Sequence, residues 1–156
     1  MIIMGIDPGT AATGYGLIKK LPDKLKIIDY GCIKTEAKFS TAERLKKIDQ
    51  QLTKLIKKHK PKRIAVEDIF FFKNLKTAVK VSQARGVILA SAAQTKAQVV
   101  EYTPLQIKQA VTGYGRADKK QVQQMVKVLL NLKEIPQPDD AADALAAAIC
   151  CAHSLR

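Results

Sequence analysis

Asp7 and Glu67 each stand where a short apolar run stops: Ile2, Ile3, Met4 and Ile6 precede the first, and Ile64, Ala65 and Val66 the second. Runs of this kind, without polar alternation, suit central strands buried on both faces, so both acids are expected at strand tips. Three more, Asp139, Asp140 and Asp143, open the Ala-rich segment DDAADALAAAICCA. Residues three or four apart share a helix face, so Asp143 projects together with Asp140 or with Asp139. Capping and the macrodipole favour acids at a helix N-terminus, and Asp139, directly after Pro138, reads as such a cap. Asp143, one turn further in among alanines, is beyond the reach of that explanation. Carboxylates at strand tips and on one helix face need cations. An oxygen-only set suits Mg²⁺ or Mn²⁺, and two such ions about 4 Å apart serve phosphoryl-transfer hydrolysis.

The chain that carries these acids is strongly basic, with 27 Lys and Arg against 14 Asp and Glu and a formal charge of +13. That excess favours a polyanionic partner, nucleic acid ahead of an anionic membrane. An acidic pocket in a basic surface is what phosphodiester hydrolysis requires: the surface holds the backbone while metal ions neutralise the scissile phosphate. No apolar stretch reaches spanning length and the chain opens directly into a strand, so a cytosolic protein with no membrane contact is expected. Cys32, Cys150 and Cys151 show neither a disulfide framework nor a zinc spacing, and His59 and His153 are too few for a His-rich metal site. A single domain over residues 1–156 is expected.

The elements that must position the acids can be read in outline. In MIIMGIDPGTAATGYG, Pro8 and Gly9 stop the first strand, Gly14 and Gly16 let the backbone turn or come close to something, and Tyr15, Leu17 and Ile18 resume a strand. Residues 25–35 read as a third, antiparallel strand. Ser40 and Glu43 form a capping box for an amphipathic helix that buries Leu45, Ile48, Leu52, Leu55 and Ile56 and ends at Pro61. Residues 63–68 and 97–102 are further strands. Phe70, Phe71 and Phe72 cannot all enter one core, because neighbours on an extended segment point to opposite sides; at least one is expected to be exposed beside Glu67. The helix predicted over 75–94 carries small or apolar residues on two faces, so it packs on the sheet and on a neighbouring element or second subunit. Thr103 and Pro104 open a short helix. Residues 116–120 read as a flexible basic loop, with Asp118 capping the next helix. Residues 135–138 turn the chain into the last one.

GIDPGT followed by TGYG, then AVEDIFFFKN, SQARG, IKQAVTGYGRADKKQVQQMV and DDAADALA, cover essentially the whole chain and resemble the RuvC-type Holliday-junction resolvases. The resemblance implies an α/β, RNase H-like fold: a mixed five-stranded sheet, its first three strands antiparallel, flanked by helices. It also implies a homodimer that nicks a four-way DNA junction symmetrically with Mg²⁺ or Mn²⁺, two ions per site, alongside the branch-migration proteins RuvA and RuvB. Carried over by position, the metal-binding acids are Asp7, Glu67, Asp140 and Asp143. Lys108 and Lys119 match lysines near the scissile phosphate, and Phe70 an aromatic that wedges against unpaired bases. Lys73, Lys76 and Lys80 on one helical stripe, with Arg116 and Lys120, complete the expected nucleic-acid contacts. The rival readings are a nuclease for RNA/DNA hybrids or other branched DNA, a non-catalytic junction binder, and a phosphotransferase with Asp7-Pro8-Gly9-Thr10 as phosphate loop. The last needs two lobes and a second phosphate loop, for which the chain is too short.

Overall fold

Strand β1 (Ile2–Asp7) is buried along its middle, with Met4 and Ile6 packed into one apolar cluster and Ile3 into another. A strand with apolar groups on both faces needs cover on both, which puts it at the centre of a sheet. In a computed structural model, which describes residues 1–69 and 75–155, β2 (Ala12–Lys20) pairs antiparallel with β1, and β3 (Leu25–Lys34) antiparallel with β2. On the other side, β4 (Arg63–Glu67) runs parallel to β1 and β5 (Gln98–Tyr102) parallel to β4. The order β3-β2-β1-β4-β5 is the mixed sheet that the resemblance implies. Helices α1 (Thr41–His59) and α2 (Leu75–Ala93) cover the Met4 and Ile6 face. Helices α3 (Pro104–Thr112), α4 (Lys119–Leu129) and α5 (Asp139–His153) cover the other. Among the described residues, no helix is long and apolar enough to cross a membrane.

The element that matters most for the acids is α5, which lies against β1 and β2 at backbone distance. A Cβ on Gly5 would strike the Ala144 carbonyl, and one on Gly14 the carbonyl of Asp140. Gly14 and Gly16 therefore lie inside β2 and make no turn; the close approach, of the two roles open to them, is the one they fill. Alanines on α5 serve the same end, since small side chains let a helix sit low on a sheet, and residues 141–152 are buried but for Asp143.

Local signals fix the helix starts. Ser40 and Glu43 form the reciprocal box expected, and Thr103 with Gln106 and Asp118 with Gln121 form two more. Two expectations need correction. Lys119 and Lys120 belong to the first turn of α4, not to a flexible loop, because the Asp118 cap starts the helix directly after itself. Asp139 does not cap α5: Pro138 holds the N-cap position and no side chain closes it. Already helical, Asp139 points its carboxylate sideways to α4, where it accepts from Gln123 Nε2 at 3.0 Å. Phe70, Phe71, Phe72 and Lys73 lie outside the described residues.

Candidate active site

The parallel register between β1 and β4 runs from Ile3 and Arg63 to Ile6 and Val66. Asp7 and Glu67 are the next residue on each strand, so two carboxylates meet where the ladder ends, on the face that α5 crosses. They stand close enough to act on each other's ionisation. Because α5 touches the sheet at Gly14, its first turns bring Asp140 and Asp143 over the same strand ends, and both acids act electrostatically on Asp7.

The energetics follow from burial. Asp7 is largely withdrawn from solvent, and its acid is pushed from 3.8 up to about 8, first by burial and then by the charges of Glu67, Asp143 and Asp140. Glu67 is pushed from 4.5 up to about 7 by burial and by Asp143, while its hydrogen bond with Asp7 and the charges of Lys108 and Lys119 pull the other way. Asp143 is raised by burial, against the pull of Lys119. Two neighbouring carboxyls that both rise in this way titrate as a pair.

Two lysines rim this cluster. Lys119 Nζ lies 3.2 Å from Asp143 Oδ2 and 3.2 Å from Asp139 Oδ2. Burial works against its charge, but the two carboxylates outweigh that and hold the ammonium protonated above the ordinary range. Lys108 comes from α3. Together these groups line a cleft of about 420 Å³ with Asp7, Glu67 and Asp143 at its floor and Ile69, Val81, Pro104, Ile107 and Val122 among its walls. Asp140 lies outside the lining, near enough to Asp7 and Cys32 to raise both.

Of the sequence-predicted site residues, Asp7, Glu67, Asp140, Asp143, Lys108 and Lys119 are thus brought together. Lys76 and Lys80 are exposed on α2, Arg116 is exposed in the turn before α4, and Lys120 is exposed in its first turn. Three residues near the site had no assigned role: Asp68, which lines the cleft, and Thr10 and Arg85, which hydrogen-bond around it. GIDPGT and SQARG contain the last two, and their partners lie on other segments of the chain.

The donor set suits a hard divalent cation. Every candidate ligand is a carboxylate oxygen, and the raised acids mark a cavity short of positive charge. Among the described residues, no three His, Cys, Asp or Glu are arranged to hold an ion as they stand. Asp7 and Glu67 lie side by side at the strand ends, and Asp143 pairs with Lys119.

Comparison with known proteins shows the family. The family model for crossover junction endodeoxyribonuclease RuvC matches residues 3–151. A protein of that name from Alkaliphilus metalliredigens (strain QYMF) is 57% identical over 154 residues, 99% of this chain and 94% of that protein. One from Halothermothrix orenii (strain H 168 / OCM 544 / DSM 9562) is 56% identical over 156 residues, 100% of this chain and 94% of its own. Among solved structures, T. thermophilus RuvC in complex with Holliday junction substrate is similar at a TM-score of 0.95 and 35% identity, covering 100% of this chain and 95% of that one.

Proposed function

The chain belongs to the RuvC family of crossover junction endodeoxyribonucleases, and on that premise we propose that it resolves four-way DNA junctions by paired symmetric nicks in the acid-lined cleft. The enzyme is a phosphodiester hydrolase of a metal-dependent family. Asp7, Glu67, Asp140 and Asp143 are the proposed ligands of two ions, Mg²⁺ or Mn²⁺. The observation that carries this is the pair of half-buried carboxylates at neighbouring strand ends beneath a helix with two more acids. Bound there, divalent ions supply an activated water and offset charge on the leaving oxygen.

The chain's own residues do the rest. Asp7 and Glu67 would both have to be ionised to serve as ligands. Lys108 and Lys119 neutralise charge building on the phosphate, and Lys119, about half exposed, can exchange Asp143 for a phosphate oxygen. Lys73, Lys76, Lys80, Arg116 and Lys120 hold the sugar-phosphate backbone. Phe70 stacks on an unpaired base at the crossover. Phe70→Ala should slow cutting of intact junctions and leave junctions already unpaired at the centre less affected; equal loss on both would contradict the wedge. A second copy is proposed to cover the outer side of α2, where Leu75 is 81% and Val79 57% exposed. RuvA and RuvB are the proposed partner proteins, and the cytoplasm the proposed compartment.

The test compares a labelled four-way junction with linear duplex and an RNA/DNA hybrid, with Mg²⁺ and with chelator, beside Asp7→Asn. Paired nicks on the junction alone, absent in chelator and in the variant, are expected. Binding without nicks would point to a scaffold, and preferential hybrid cleavage to a different substrate.

A further inference from the structure

Two buried or half-buried side chains of the stretches GIDPGT and SQARG take no part in the acid cluster, yet both tie α2 to the strand ends that carry it. Thr10, three residues after Asp7 and 6% exposed, donates its hydroxyl to the Lys80 carbonyl of α2 at 2.7 Å. The carbonyl of Thr10 in turn accepts from the Thr35 hydroxyl, which accepts from Arg44 Nε of α1 at 2.8 Å. On the opposite side, Arg85 of α2 places Nη2 2.9 Å from Asp68 Oδ1 and in contact with Glu101 Oε2. Asp68 directly follows Glu67, and Glu101 sits on β5 opposite Val66.

The sheet explains why such ties matter. At the level of the acids, Asp7 is still paired with Gly14 of β2, and Glu67 with Tyr102 of β5. Between β1 and β4, however, the ladder stops one residue earlier, at Ile6 and Val66. The end of the sheet is therefore split into a β1–β2 half carrying Asp7 and a β4–β5 half carrying Glu67. Beyond that last rung the two acids are not partners of each other in the ladder, so their side chains are spaced by what packs against each half. Helix α2 spans the split, held to one half through Thr10 and to the other through Arg85. A threonine hydroxyl on a helical carbonyl uses the second lone pair of that oxygen, so the tie leaves the helix intact.

We propose that Thr10 and Arg85 are positioning residues that tie α2 across the split end of the sheet and so set the spacing of Asp7 and Glu67. The inference deepens the nuclease reading above and rests on it. It also makes α2 a strut between the acids and the surface that bears Leu75 and Val79.

Thr10→Val keeps the shape and removes the donor, Thr10→Ser keeps the donor, and Arg85→Gln removes the charge that holds Asp68 and Glu101 together. Three quantities are measured on the full chain: the single-turnover rate on a four-way junction at saturating protein, the junction affinity in chelator, and the Mn²⁺ concentration giving half the maximal rise in melting temperature without DNA. Thr10→Val and Arg85→Gln should each slow single-turnover cutting by about tenfold or more and shift the Mn²⁺ midpoint upward by about tenfold, as lost support of metal ligands does. Junction affinity should stay within about twofold, since no phosphate contact is removed. Thr10→Ser should restore both the rate and the midpoint. An unshifted Mn²⁺ midpoint in both variants, a rate loss that only follows lost affinity, or a serine variant no better than valine would overturn the proposal. If wild type itself fails to cut junctions, the substrate reading falls, while the Mn²⁺ midpoints still decide the positioning roles.

Discussion

Folding moves Asp7 from 3.8 to about 8 and Glu67 from 4.5 to about 7, so the folded chain keeps protons that the unfolded chain has released. The stabilisation from these raised acids is complete below the unfolded values near pH 4, declines as pH rises, and is gone above about pH 8. Without divalent ions, wild type should therefore melt at progressively lower temperature from pH 5 to pH 8.5 in a series of thermal scans. Asp7→Asn carries no such charge. Its curve should be flatter and stand above wild type at pH 8.5 by about 2 kcal/mol, or about 4 to 8 °C for a chain of this size. Added Mg²⁺ or Mn²⁺ should raise wild type and leave the variant nearly unmoved, and a variant that melts lower than wild type at pH 8.5 would contradict the buried-charge account. Lys119 separates stability from chemistry at the same scale. Its ion pairs are half exposed, so Lys119→Ala should cost less than about 1 kcal/mol in denaturant melts. Single-turnover cutting should nevertheless fall by about a hundredfold, because a cation near the scissile phosphate acts in the transition state. Asp7 and Glu67 were legible in the sequence because an acid that ends an apolar run is conspicuous. The split of roles between Asp139 and Asp140 was not, since it turns on Pro138 taking the cap position and on Gln123 and Lys119 waiting across on α4.

Helix α5 depends on glycine where it crosses β1, whereas the single glycine of α2 faces open space. Gly5→Ala would force a methyl into the Ala144 carbonyl, and backbone cannot yield as a flexible side chain does. The variant should lose about 3 kcal/mol or more in denaturant melts, with cutting lost as α5 and its two acids lift from the strand ends. Gly86 has nothing within 4 Å of an added Cβ, so Gly86→Ala should gain about 0.5–1 kcal/mol through helix propensity. Opposite signs at two glycines would be hard to obtain from composition alone. At this scale most of the molecule was legible: the capping box at Ser40, the Asp118 cap and the Pro104 start all stand where the residues announce them. Gly14 and Gly16 were ambiguous because glycine serves both a turn and a close approach, and only the helix lying on them decides which.

Across the whole molecule, a formal charge of +13 surrounds a pocket of acids, so attraction to a polyanion and repulsion at the site must be balanced by cations. Junction affinity in chelator should fall linearly in log–log plots against salt, with a slope of about 0.9 per phosphate neutralised on duplex arms. A slope near zero would remove the electrostatic account of binding. The exposed Leu75 and Val79 carry the proposed dimer contact. Val79→Asp should shift sedimentation to the single-chain mass while changing chain stability by less than about 0.5 kcal/mol, as surface substitutions do; unaltered sedimentation would place the contact elsewhere. The sequence by itself determined the strands and helices, the acid at each strand tip, the basic surface and the family, because periodicity, capping and ordered motifs are properties of neighbouring residues. Only the tertiary structure decided that Asp7 and Glu67 meet at neighbouring strand ends, that α5 lowers Asp140 and Asp143 onto them, and that Thr10 reaches α2 from one side while Arg85 reaches out of α2 on the other. Burial, electrostatic potential and hydrogen-bond partners are sums over segments distant in sequence, and they have no value until those segments meet.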